Sequence, residues 1–227
     1  MIKSIKKILS WRGNSLCKTI YYNFKYLPFK SAIKLPMIVA KNSRITGKGI
    51  INLNADNTIY IGQKTLNWMN EKREYTLIHL DGGQICFNGK CYIGLGSKIE
   101  VKKYGELIIG ENVTFTGKVN VICSKKIVIG DYCLISWDTL LMDSDSHTIY
   151  TKNINKNIDE PIIIGNHVWI GCKATILKNT YIANDIVIAS NSIVSGNYSD
   201  SNVILANNKA RKIKDKIEWN IKNPNYS

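Results

Sequence analysis

The feature that most constrains this chain is an apolar residue at every sixth position: Ile164, Ile170, Ile176, Ile182, Ile188 and Val194. No helix has that period, and a half-buried strand alternates every two residues. With these residues as position one, the second position is small in most units (Gly165, Gly171, Ala183, Ala189, Ser195), Leu177 being the exception. The fifth position holds Val168, Ala174, Thr180, Ile186 and Ser192. Such a unit is a short strand followed by a bend. Three units close one triangular coil of roughly eighteen residues, and aliphatic side chains stack on their equivalents one coil away, burying what no single unit could bury alone.

The register recurs upstream as Ile129, Ile135 and Leu141, as Ile109, Phe115 and Val121, and as Ile93 and Ile99, with small loops where it slips. Ile45, Ile51 and Ile61-Gly62 mark irregular first coils, and Thr65 to Tyr75, with Trp68, Met69 and a charge cluster, fits neither period and reads as an excursion. The pattern predicts an all-β solenoid over residues 45–208, with a loop inserted at 148–162. Spacing does not fix its hand. Residues 1–44 read as a basic, partly helical N-terminal segment. At 209–227, Ala210, Ile213, Ile217 and Ile221 fall at helical spacing and predict a C-terminal helix over the open end of the solenoid.

The 227 residues are 44% hydrophobic, enough for a sizeable core, and the net charge of +14 favours an anionic partner. Six cysteines without a CxxC pair or a zinc-cage spacing read as free thiols, several of them in the core, and point to a reducing compartment. The start, MIKSIKKILSWRGNSL, has no apolar run long enough for a signal peptide or a spanning helix, so the chain is expected in the cytoplasm. Ile2, Ile5, Leu9 and Trp11 opposite Lys3, Lys6 and Lys7 form either a helix docked on the body or a contact with the membrane's inner face. No aromatic-plus-basic nucleic-acid module is present, so nucleic acid is not an expected partner.

The run PIIIGNHVWIGCKATILKNTYIANDIVIASNSIVSGN, from Pro161 to Asn197, resembles the hexapeptide-repeat acyltransferases. With MDSDSH before it, it is similar to their sugar and polysaccharide O-acetyltransferase branch, over about residues 90–212. The resemblance implies a left-handed parallel β-helix, a homotrimer with active sites between subunits, acetyl-CoA as co-substrate, a sugar or glycan acceptor and no metal. It also implies a general-base histidine near a coil corner, which here is His147.

The residues agree with that assignment. His147 follows Leu141 by six, and the repeat then stops until Ile164, so the interruption puts the imidazole at an edge. An imidazole can take the proton of a hydroxyl as its oxygen attacks a thioester carbonyl. His79 reads as a strand or turn histidine and His167 as an exposed ring. Asp143 and Asp145 are either carboxylates that orient or charge-stabilise the His147 ring, or parts of a polar turn. Cys133 and Cys172 are the alternatives for a covalent route, each lacking an activating histidine nearby in sequence.

For the cofactor, Trp169 at an outward sixth position packs on the pantetheine arm or on the next subunit. Gly171, Ala189 and Ser190 offer a thin surface for that arm, although a coil needs small residues there without any ligand. Lys173 and Lys178 in the repeats, with Lys209 and Arg211 after them, are the candidate phosphate partners. The segment LANNKARKIK resembles the family's closing motif, with Asn207 in place of Gly and Lys209 in place of Pro, while Arg211 keeps the basic position. A zinc carbonic anhydrase on the same solenoid would need closely spaced histidines that are missing. An N-acetyltransferase on an amino sugar nucleotide and a non-catalytic basic scaffold are the remaining alternatives.

Overall fold

The computed structural model describes residues 13–55, 57–151, 154–155 and 158–220. Its strands form three parallel ladders that the chain visits in fixed rotation. The first contains Met37–Val39, Ile59–Gln63, Cys91–Gly94, Val113–Phe115, Leu134–Ile135, Trp169–Ile170, Val187–Ile188 and Ile204–Ala206. The second contains Lys98–Val101, Asn120–Cys123 and Leu140–Met142, and the third Glu106–Ile109, Lys126–Ile129 and Ile162–Ile164. Four longer strands, Ser43–Leu53, Thr76–Phe87, Thr175–Ile182 and Ile193–Tyr198, bend across an edge and serve both of these ladders. This rotation is that of a three-faced parallel β-solenoid, and it begins at Met37, earlier than the residue 45 that the sequence pattern suggests.

The six-residue register is what fills the interior. Ile164, Ile170, Ile176, Ile182, Ile188 and Val194 are all buried, as are Val168, Ala174, Thr180, Ile186 and Ser192 at the fifth positions. Pairing sets Phe115, Ile135, Ile170 and Ile188 one above another in the first ladder. Ile170→Ala removes the middle of that column and is expected to cost about 2–5 kcal/mol. Equilibrium denaturation measures it, and an unchanged midpoint would contradict this packing.

Along one edge the coils are joined by side chains as well as backbone. The Asn184 Oδ1 accepts from the Asn166 N–H at 2.8 Å, the Asn166 Oδ1 from the Asp131 N–H at 2.9 Å, and the Asp131 Oδ1 from the Glu111 N–H at 2.7 Å. A Cβ on Gly165 would lie 2.5 Å from the Asn184 Oδ1, so the ladder requires glycine there.

Both ends of the first ladder are covered. At the start, helix α1 (Leu16–Tyr26) is capped by Ser15, whose side chain accepts from the Lys18 N–H, and ends at Leu27, held extended by Pro28. Its Thr19 and Asn23 face inward: Thr19 Oγ1 accepts from the Val39 N–H at 3.0 Å, and Asn23 exchanges bonds of 3.1 and 2.7 Å with the Met37 backbone. These side chains satisfy an edge strand that would otherwise be open. A short helix α2 (Phe29–Ala32) follows.

At the other end, among the described residues, the expected C-terminal helix is absent. Arg211–Lys214 is a strand paired antiparallel with Ile204–Ala206, and residues 215–220 are irregular. The unpaired backbone of the last coil attracts a strand more strongly than the weak Ile213 and Ile217 spacing favours a helix; Ile213 stays exposed. Ile221 and the rest of 221–227 lie outside the described residues, as does the predicted amphipathic segment 1–12. The excursion at 65–75 and the insertion after His147 are both present, the latter containing an antiparallel pair, Tyr150–Thr151 with Ile154–Asn155.

Candidate active site

Regular coiling stops at Met142 and resumes at Ile162, and the break lies at the edge between the second and third ladders. The residues leading to His147 are each pinned. Asp143 is fully buried, and its carboxylate accepts from three successive backbone N–H groups: Ser124 at 2.7 Å, Lys125 at 2.9 Å and Lys126 at 2.7 Å. Ser144 Oγ, almost buried, accepts from the Ser146 N–H at 3.0 Å. The exposed Asp145 pairs with Lys178 at 2.8 Å, and Ser146 Oγ receives the Lys102 ammonium at 2.9 Å. His147 follows directly and is exposed, where an inward register position would have buried it.

Asp143 and Asp145 thus have definite tasks. The first ties the His147 segment to the turn of the preceding coil through the backbone, and the second ties it to the following coil through Lys178. The contacts of Asp143 are three backbone N–H groups and that of Asp145 is the Lys178 ammonium. The Cys123 thiol nearby is pushed well up, first by burial and next by the Asp143 charge.

His147 lines an open groove of about 740 Å³ together with Asp81, Lys102, Lys103, Tyr104, Lys125 and Asp159. These come from successive coils at the same edge, so the groove runs parallel to the solenoid axis for about 15 Å, at roughly 4.8 Å per coil. Its cations outnumber its carboxylates, and the Tyr104 ring is 82% exposed with the Lys103 ammonium 5.0 Å from its centre. Further along this edge stands Lys209, whose Nζ would lie 3.8 Å from a Cβ on Gly196.

The other candidate cofactor residues gather elsewhere. Trp169, Gly171 and Lys173 lie on and just after a first-ladder strand, with Ala189 and Ser190 one coil on. A Cβ on Gly171 would meet the Ser190 nitrogen at 2.6 Å, so stacking of the coils alone demands glycine. Trp169 is half-exposed and donates to Ser136 Oγ at 3.1 Å, and the Lys173 N–H donates to the Trp137 carbonyl at 3.0 Å. Arg211 is exposed on the edge strand beside Ala206. The structure therefore groups Trp169, Gly171, Lys173, Ala189 and Ser190 at one edge and His147, Asp145 and Lys209 at another.

Two aromatic contacts escape sequence reasoning. Trp219 stacks on His167 with centroids 4.2 Å apart and planes at 8°, donates to the His167 carbonyl at 2.9 Å, and stands 6.0 Å from Trp169. Trp68 of the excursion meets Trp137 edge-on at 6.2 Å, and its tryptophan in an irregular stretch was the available signal. His167 also bonds Asp185 at 2.8 Å, and His79 bonds Thr46 at 2.9 Å between neighbouring strands. All six cysteines are free. Cys133 is buried and its thiol is pushed up to about 12, chiefly by burial, which removes it as a nucleophile. Among the described residues no cluster of three His, Cys, Asp or Glu side chains is arranged to hold a metal.

No protein-family model matches the chain. An uncharacterized 24.8 kDa protein of the cps region of Klebsiella pneumoniae is 26% identical over 208 residues, 91% of each chain. A polysialic acid O-acetyltransferase of Escherichia coli O1:K1 is 33% identical over 124 residues, which cover 53% of this chain and 40% of that one. The crystal structure of the polySia-specific acetyltransferase NeuO superposes with a TM-score of 0.57 at 23% identity, over 83% of this chain and 91% of that one. A coil of this repeat, an edge histidine held on four anchored residues, and a likeness to named O-acetyltransferases agree with the resemblance to the hexapeptide-repeat acyltransferases.

Proposed function

We propose that this protein transfers an acetyl group from acetyl-CoA to a hydroxyl of a sugar in a surface glycan, with His147 as general base. The observation that carries this reading is the placement of an exposed imidazole in an open, cation-lined groove at the break in the coil. In the reaction the acceptor oxygen attacks the thioester carbonyl carbon while His147 takes its proton. The tetrahedral intermediate then expels the CoA thiolate, and the proton passes from His147 to sulfur. No acyl-enzyme is required.

Lys102, Lys103 and Lys125 beside Tyr104 suit an acidic glycan, with the ring as a platform for a sugar face, and the relatives named for polysialic acid point the same way. The cofactor reading assigns Trp169, Gly171, Ala189 and Ser190 to the pantetheine arm and Lys173, Lys209 and Arg211 to the CoA phosphates. Because these residues occupy two edges of one chain, a site that unites them with His147 takes an edge from each of two copies. A homotrimer of left-handed coils, as the family resemblance implies, supplies that arrangement. Exposed Ile149, Tyr150 and Ile158 around the insertion give a neighbouring subunit an apolar contact. The setting proposed is the cytoplasm.

The test follows free thiol release from acetyl-CoA across a panel of acidic glycans, neutral glycans and amino sugar nucleotides, and then the stability of the product in mild base. The expected product is an ester on an acidic glycan, lost in base. A base-stable amide identifies N-transfer instead, and absence of acetyl-CoA binding removes the enzymatic reading.

A further inference from the structure

Helix α1 carries apolar side chains on both faces. Its inward face buries Tyr22 in the core beside the hydrogen-bonded Thr19 and Asn23, while its outward face presents Ile20 and Phe24, 42% and 46% exposed. The adjoining turn and α2 extend that face with Phe29 at 73% and Ile33 at 41%, and Phe24 meets Phe29 edge-on at 5.9 Å. These exposed side chains take no part in closing the edge strand, whose backbone is bonded by Thr19 and Asn23 on the opposite face.

The charge around the patch identifies what covers it. The first 55 residues contain eleven Lys and Arg and no Asp or Glu, whereas the remaining 172 are nearly balanced, with 20 against 17. Lys25 and Lys30, next in sequence to Phe24 and Phe29, are exposed, and the Lys25 ammonium stands 4.8 Å from the centre of the Tyr26 ring. A second copy docking through the same face would bring like charges together, and residues 1–12 are themselves basic. A surface that is negative outside and apolar just beneath satisfies both features at once.

We infer that the α1–α2 face is a docking surface for a bilayer of anionic phospholipid, with Phe24 and Phe29 entering the headgroup boundary and Lys25 and Lys30 meeting the phosphates. Among the described residues no helix is long and apolar enough to cross a membrane, so the contact is a surface one. It places the first coil against the bilayer and stands independently of the acetyl-transfer reading.

The experiment sediments the full chain with vesicles of phosphatidylcholine alone and with vesicles that also contain phosphatidylglycerol, at low salt. Wild type is expected to pellet with the second and remain in solution with the first. At about 1 kcal/mol per lysine near an anionic surface, Lys25→Gln with Lys30→Gln weakens binding roughly thirtyfold. Phe24→Ser with Phe29→Ser, both exposed and thus compatible with an unchanged melting curve, weakens it at least about tenfold. Equal binding to both vesicles, no binding to either, or binding by the serine variant at the wild-type level overturns the inference. A change in oligomeric state with unchanged vesicle binding would also overturn it and assign the face to a second copy.

Discussion

Asp143→Asn lowers the melting temperature by about 5–15 °C and takes most of the activity with it. The carboxylate accepts from three backbone N–H groups in one turn, all at 2.9 Å or shorter, in a fully buried setting. Asparagine fits the same space but offers one acceptor oxygen and turns an NH₂ group toward donors. Hydrogen bonds to a charged acceptor contribute about 1.5–3 kcal/mol each, and a buried donor left unmade costs about 1–3 kcal/mol, so a net loss of roughly 2–4 kcal/mol follows. For a chain of this size that is a shift of about 2–4 °C per kcal/mol. The effect reaches His147 because the Asp143 bonds fix where the coil stops. Thermal melting monitored by circular dichroism, with activity assayed well below the transition, separates the two consequences. A variant with the wild-type melting curve would show that the 124–126 turn finds other acceptors.

How much of this architecture can be read from sequence depends on whether a residue's role is set by its own repeat. Ile164 through Val194 declare themselves because each must stack on its equivalent a coil away, and all six are buried. The edge position of His147 was legible for the same reason, as the point where the register fails. The backbone partners of Asp143, Ser124 to Lys126, could not be read from sequence because they lie one coil back, at a distance that no local pattern encodes. The C-terminal segment was misread because helical spacing of Ile213 and Ile217 is a local signal, whereas the open edge of Ile204–Ala206 is a property of the finished ladder. Trp219 on His167 and Lys102 on Ser146 are contacts of the same long-range kind. The groove lysines, one or two per coil, look like scattered surface charge until the coils are stacked.

The anchoring of residues 143–146 has a further consequence for catalysis. A general base contributes by standing within reach of one proton in one geometry, and here four consecutive residues hold the chain before it is presented. His147 itself is exposed and fills no space in the core. His147→Ala is therefore expected to leave the melting curve unchanged and to lower kcat/KM by about two or more orders of magnitude, the usual contribution of a positioned base. The loss should fall on kcat, since proton transfer is made in the transition state and the residues proposed to bind acetyl-CoA are others.

The most direct measurement of the central claim is the rate of free CoA release from acetyl-CoA by wild type and by His147→Ala, side by side, with the best acidic glycan of the panel. Release by wild type that falls at least about a hundredfold in a folded variant of unchanged acetyl-CoA affinity is the predicted result. Equal rates in the two proteins would contradict it and remove His147 from the chemistry.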